Sequence, residues 1–167
     1  LALLRLYRLT ENKHFLELAK KFINERGKAP DFWAREAEKR SWTVWNSDPW
    51  DNDYRQSAKP VREQTEATGH AVRAVYLYTG MADLASETDD KELFSACRRL
   101  WENIVRRKMY ITGGIGSTVQ GEAFTVDYDL PPDTAYSETC AAVGLIFFAE
   151  KMLENDINGE YGDVMEL

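Results

Sequence analysis

The stretch Leu9-Thr-Glu-Asn-Lys-His-Phe-Leu-Glu-Leu-Ala-Lys-Lys-Phe-Ile23 returns further along the chain as Glu87-Thr-Asp-Asp-Lys-Glu-Leu-Phe-Ser-Ala-Cys-Arg-Arg-Leu-Trp101. Thr10 falls on Thr88 and Lys13 on Lys91, while Phe15, Ala19 and Phe22 fall on Leu93, Cys97 and Leu100. Each copy has a polar break followed by apolar residues at three- and four-residue spacing, the pattern of a helix with one buried face. Upstream, Leu3, Leu4, Tyr7 and Leu9 carry the same spacing, so each copy reads as the corner of a helical hairpin. Halving the interval from Thr10 to Thr88 suggests two hairpins of about 39 residues each. Glu160-Tyr161 with Val164 is a weaker third echo. Stacked hairpins of this size close into solenoids or toroids. The expected fold is therefore all-α.

Outward from the repeat, the texture changes twice. Between Phe32 and Lys59, Trp33, Trp42, Trp45, Trp50 and Tyr54 alternate with Asp48, Asp51 and Asp53 around a turn-forming run, Asn46 to Asp53. Such rings either stack on sugars or anchor a long loop to the core. Residues 61–87 read as one long helix, with Gly80 as a candidate turn. Met109-Tyr-Ile-Thr112 and Ala123-Phe-Thr-Val126 read as short strands flanking Gly113-Gly-Ile-Gly-Ser117, a small β-hairpin or loop insertion near 109–130. A further helix is expected from Ala141, capped by Thr134 or Ser137.

Composition narrows the partners. The 167 residues carry 21 Lys+Arg against 28 Asp+Glu, a net charge of −7. That balance argues against a phosphate-reading surface. No window approaches the ~18 apolar residues of a membrane span. Neither nucleic acid nor membrane is expected as a partner. Two cysteines make no disulfide framework, and a cytoplasmic location is the default. Leu1 and Leu167 both fall inside helix-like patterns, so the chain is expected to be a piece of a longer one, with apolar faces at Leu3, Leu4 and Val164 open to self-association.

Most motifs fail on spacing. Gly114 and Gly116 lack a third glycine at Val119, and no Gly-Lys-Ser/Thr occurs. Two histidines, His14 and His70, cannot build a paired-histidine zinc helix. His14 is expected in solvent. His70 lies four residues after Glu66, on one face if residues 61–87 are helical. The chemical signal is a carboxylate cluster: Glu122, Asp127, Asp129, Asp133 and Glu138 beside Phe124, Tyr128 and Tyr136. Glycoside cleavage needs one carboxyl to protonate a leaving oxygen and a second group to attack or activate water. Clustered loop acids can equally be plain solvated surface. Glu138-Thr-Cys140, at a helix N-terminus, could turn carboxylate and thiolate toward one metal, although a zinc site takes three or four ligands. An inert Cys140 is the other reading.

Four ordered segments then carry a resemblance: Thr68-Gly-His-Ala-Val-Arg-Ala-Val-Tyr-Leu-Tyr-Thr-Gly-Met-Ala-Asp83, Met109-Tyr-Ile-Thr-Gly-Gly-Ile-Gly-Ser117, Gly121-Glu-Ala-Phe-Thr-Val-Asp-Tyr-Asp-Leu-Pro131, and Ala135-Tyr-Ser-Glu-Thr-Cys-Ala-Ala-Val-Gly-Leu145. Over the whole length the chain resembles the β-L-arabinofuranosidases of glycoside hydrolase family 127. The resemblance implies part of an (α/α)6 barrel and a retaining, zinc-assisted reaction on a carbohydrate, with a cysteine nucleophile. It implies Glu122 as the general acid/base, Glu138 and Cys140 as two zinc ligands, and His70 in the sugar pocket. The implied nucleophile and a second cysteine ligand match nothing in residues 1–167, so these residues alone are expected to be inactive. At the hairpin length suggested by the repeat, six hairpins outrun this chain by roughly two, which makes it an arc of the ring. Two other readings are a different carbohydrate enzyme on an α/α toroid, and a non-catalytic helical-repeat scaffold.

Overall fold

The computed structural model describes residues 1–43 and 46–167; Val44 and Trp45 lie outside it, Trp45 being one of the four interleaved tryptophans. Seven α-helices are present among the described residues: α1 (Ala2–Thr10), α2 (Lys13–Glu25), α3 (Phe32–Arg40), α4 (Ala71–Thr88), α5 (Lys91–Asn103), α6 (Thr139–Asn155) and α7 (Gly159–Met165). The fold is all-α.

The repeat is real in its corners. α1 and α4 both end in a threonine whose hydroxyl donates back to a carbonyl, Thr10 to Leu6 at 2.7 Å and Thr88 to Leu84 at 2.8 Å. Each is followed by one residue in the left-handed region, Glu11 (φ 55°) and Asp89 (φ 52°), and then by an N-cap. Asn12 accepts from the His14 N–H at 3.0 Å, and Asp90 from the Leu93 N–H at 2.9 Å. Each cap satisfies a donor that a new helix would otherwise leave orphaned. The α6–α7 pair keeps only the cap, with Asn158 accepting from the Glu160 N–H at 3.1 Å; α6 ends in Asn155 and the next residue, Asp156, is extended.

The interval between the corners is nevertheless not filled by two equal hairpins. Between α2 and α4 the described chain holds one helix, α3, a short 3-10 turn (Val61–Glu63) and long loops. α4 and α6 are the inner pair. α4 buries residues all round its surface, Val75, Tyr78, Met81 and Leu84 among them, and α6 buries Leu145, Phe148 and Met152. They pack so closely that a Cβ on Gly144 would lie 2.4 Å from the Val75 side chain. α5 buries one face through Leu93, Cys97, Leu100 and Trp101, and lies outside. Inner helices joined through outer ones form an arc of an α/α toroid. Asp83, 1% exposed, binds α1 to α4 through Arg8 at 2.8 Å.

Several local expectations are corrected. Residues 61–87 are not one helix: the chain stays irregular from Gln64 to His70, because Gly69 (φ 67°) runs against the Asp53 backbone, where a Cβ would meet the carbonyl oxygen at 2.0 Å. Gly80 sits inside α4 and marks no turn. Neither Thr134 nor Ser137 caps α6; Glu138 holds the N-cap position. The two strand candidates reduce to isolated antiparallel bridges, Met109 with Ile115, and Ala123 with both Thr118 and His70. Leu4 is buried, and Leu3 and Val164 pack against the core, so the expected bare apolar faces lie elsewhere, at Leu9, Phe22 and Phe147. Of the tryptophans, Trp33 is anchored by its indole N–H on the Ser57 hydroxyl at 3.2 Å, whereas Trp42 and Trp50 are exposed. His14 is in solvent, as expected. Among the described residues no helix is long and apolar enough to cross a membrane.

Candidate active site

Both inner helices begin at the same place. His70 is the N-cap of α4 and Glu138 that of α6. The irregular segment Met109–Ser137 lies across these two N-termini and delivers a third group, Glu122.

The delivery depends on backbone that few residues adopt. Thr118 and Ala123 exchange backbone hydrogen bonds at 3.1 and 3.3 Å, closing a tight turn over Val119 to Glu122. Gly121 (φ 70°) and Glu122 (φ 50°) are both left-handed within that turn. For Glu122 this conformation is uncommon and costs on the order of 1 kcal/mol, a cost that persists where surroundings over-determine it. Here the surroundings are long-range. Ala123 bridges to His70, and the Phe124 N–H donates to the Gly69 carbonyl at 2.9 Å.

The Glu122 carboxylate then receives two donors. The Tyr136 hydroxyl donates to Oε1 at 2.7 Å. His70 Nδ1 accepts the Arg73 backbone N–H at 3.3 Å, so the ring proton of neutral His70 belongs on Nε2, which lies 3.0 Å from Glu122 Oε2. The Tyr136 bond, followed by His70, holds the Glu122 carboxyl below the ordinary glutamate range. Reciprocally, the bond to Glu122 pushes the Tyr136 phenol up to about 12, with Glu138 and Cys140 adding to it. Tyr136 is placed by its own backbone: its N–H donates to the Ser117 carbonyl at 3.1 Å, and the Ser137 N–H donates to the Gly116 carbonyl at 2.9 Å.

Cys140 follows Glu138 in the first turn of α6 and is exposed. The adjacent Glu138 carboxylate raises its thiol, and Glu122 adds to that push. A helix N-terminus favours a thiolate, but here the neighbouring carboxylate outweighs it. Among the described residues no three His, Cys, Asp or Glu side chains converge as metal ligands. Glu138 and Cys140 are two donors of the type zinc accepts, but two do not make a zinc site. Cys97 is wholly buried in α5, where burial pushes its thiol up.

The four sequence-predicted residues thus meet at one end of the inner pair. Glu66 does not share a helix face with His70; it pairs instead with Lys108 at 2.7 Å. Of the other loop acids, Asp127 is tied to Arg107 at 2.8 Å and Asn103 at 3.0 Å, away from Glu122. In the sequence Tyr136 is legible only as an aromatic near the acids, and Tyr54 only as part of an aromatic loop. Yet the Tyr54 ring meets His70 edge-on at 5.6 Å and lies under Arg73 at 4.6 Å. The buried Gln56 joins these segments: its amide nitrogen lies 3.1–3.2 Å from the carbonyls of Tyr54, Thr68 and His70.

The profile "Beta-L-arabinofuranosidase, GH127 catalytic domain" matches residues 1–167. The chain belongs to that family. A non-reducing end beta-L-arabinofuranosidase of Bifidobacterium longum subsp. longum is 46% identical over 173 residues, covering 99% of this chain and 26% of the relative. The crystal structure of a GH127 beta-L-arabinofuranosidase from Geobacillus stearothermophilus T6 superposes with a TM-score of 0.92 at 50% identity, covering 99% of this chain and 26% of that one. A second GH127 beta-arabinofuranosidase structure gives 0.82 at 42% identity, covering 99% and 23%. This GH127 chain therefore spans about a quarter of the length of these relatives.

Proposed function

We propose that this chain is part of a retaining glycosidase that releases L-arabinofuranose from β-linked oligosaccharides or glycoconjugates, with Glu122 as its general acid/base. The supporting observation is the Glu122 carboxylate, held in a left-handed backbone conformation between two donors, Tyr136 and His70. Glu122 protonates the departing glycosidic oxygen, and later takes a proton from the water that releases the sugar. Its depressed pKa suits the second step. For the first, a leaving oxygen that displaces Tyr136 from Oε1 removes the largest of the depressing effects, and the carboxyl then keeps a proton more readily. His70 stays on Oε2 and lines the sugar pocket with Tyr54 behind it.

Glu138 and Cys140 are proposed as two ligands of a zinc ion whose other ligands lie outside residues 1–167. The donor set supports this: a carboxylate and a thiol side by side oppose ionisation of the thiol, and a bound cation reverses that opposition. The family resemblance implies a cysteine as the attacking group, supplied by another part of the catalytic domain; Cys97 is wholly buried and Cys140 is proposed for the metal. Residues 1–167 alone are then inactive.

The test uses the full-length enzyme. Glu122→Gln is expected to lower turnover of an unactivated β-L-arabinofuranoside ~10²- to 10⁴-fold, and to spare more of the first step on an aryl glycoside whose leaving group needs no proton. A near-normal rate on the unactivated substrate removes Glu122 as the acid. Stoichiometric zinc in the wild type, lost on Cys140→Ser, supports the ligand assignment; unchanged zinc content removes it.

A further inference from the structure

Lys108 ends the π-helical turn Ile104–Lys108 that continues α5, and is 3% exposed. Burying an ammonium is costly unless every donor is satisfied. Here the three N–H donors meet three acceptors: Glu66 Oε1 at 2.7 Å, the Thr125 carbonyl at 2.8 Å and the Ala67 carbonyl at 3.0 Å. Asp127 Oδ1 lies 3.7 Å away. These acceptors belong to two segments. Glu66 and Ala67 lead into Gly69 and His70, and Thr125 follows Glu122 by three residues. Asn103, one π-turn earlier, reinforces the same junction: its Oδ1 accepts the Ala67 N–H at 2.8 Å and its Nδ2 donates to Asp127 at 3.0 Å. The bridge between His70 and Ala123 and the Phe124–Gly69 hydrogen bond lie between this junction and the site.

We propose that Lys108 is a positioning residue for the glycosidase reaction: its ammonium ties the His70 segment to the Glu122 segment at the end of α5 and so sets the His70–Glu122 contact. This rests on the reading of Glu122 as the acid/base. Lys108 makes no hydrogen bond to either side chain and acts through their backbones. Without it, the carbonyls of Ala67 and Thr125 lose a shared charged donor, and Asn103 alone, through Ala67 and Asp127, joins the two segments. A displacement on the order of 1 Å at a reacting group costs on the order of a hundredfold in rate.

The experiment compares Lys108→Met, Lys108→Arg and Glu66→Gln in the full-length enzyme, with melting temperature, kcat, KM and the 15N-histidine spectrum as readouts. Lys108→Met is expected to lower kcat at least tenfold, to change KM less, and to move the His70 ring resonances. Glu66→Gln keeps an acceptor oxygen and is expected to stay within about twofold of wild type. Should Lys108→Met not fold, Lys108→Arg carries the test. A planar guanidinium cannot reproduce three converging bonds from one nitrogen, so kcat falls and the His70 resonances move. Folded protein with wild-type kcat and unmoved His70 resonances overturns the proposal, because a merely structural lysine would change the melting temperature alone. If Glu122→Gln proves fully active while Lys108→Met still moves the His70 resonances, the tether stands and the acid/base reading falls.

Discussion

The corners of the repeat and the loop that carries Glu122 use the same materials to opposite ends. Both have left-handed non-glycine residues, Glu11 and Asp89 in the corners, Glu122, Tyr128 and Ser137 in the loop. In the corners the capping bonds span a few residues, such as Asn12 to His14 and Asp90 to Leu93. In the loop the deciding bonds span tens of residues, such as His70 to Glu122 and Lys108 to Ala67. Local bonds form wherever the sequence recurs, and they build scaffold. Long-range bonds exist only once the scaffold is assembled, and they can hold one carboxylate in one place.

This contrast can be broken at several points. The largest effect is expected at the loop tip: Glu122→Gln in the full-length enzyme should lower kcat/KM on an unactivated substrate ~10²- to 10⁴-fold with little change in melting temperature. A comparable loss of stability would mean that Glu122 is scaffold after all. Gly69→Ala should damage both, because a Cβ would strike the Asp53 carbonyl and the φ of 67° disfavours any side chain. Destabilisation of about 3 kcal/mol or more is expected by denaturant titration. Wild-type stability there would show that the loop moves freely from residues 53–54.

The corners should respond in stability alone. Asp90→Ala should cost about 1–2 kcal/mol and Asn12→Ala about 1 kcal/mol or less, with kcat unaffected. The ranking follows from Arg62, which binds Asp90 at 2.6 and 2.9 Å and holds its carboxyl below the ordinary aspartate range. A depressed carboxyl contributes stability above its unfolded pKa and loses it as pH falls through the folded one. The gap between the two variants should therefore close in acid. Tyr136→Phe removes the largest cause of the depressed Glu122 pKa, so that pKa rises. Since the first step needs protonated Glu122, the alkaline limb of kcat/KM should move to higher pH. A downward move would assign that limb to another group. The smallest effect is expected at Gly80, where a Cβ meets nothing within 4 Å inside α4. Gly80→Ala should stabilise by about 0.5–1 kcal/mol.

The same contrast explains what is legible in the sequence. The repeat, its polar corners and the amphipathic faces of α2 and α5 follow from apolar period and capping chemistry, which are near-neighbour properties. The long helix expected over 61–87 fails in its first half because Gly69 is committed to Asp53 and Gln56 bridges Tyr54 to His70, contacts no local pattern encodes. The strand candidates fail for a related reason: Ala123 pairs with residues on either side, through single bridges, rather than along a ladder.

By itself the sequence determined an all-α repeat, because caps and periodicity act within one or two turns, and it marked the segments of Glu122 and of Glu138 and Cys140 through their resemblance to a family. Tertiary structure alone decided that His70 and Tyr136 flank Glu122 from 52 and 14 residues away, and that Lys108 is buried beneath them. Those contacts join separate elements: the close packing of α4 against α6 at Gly144 brings their two N-termini together, and the loop between them is held by what they present.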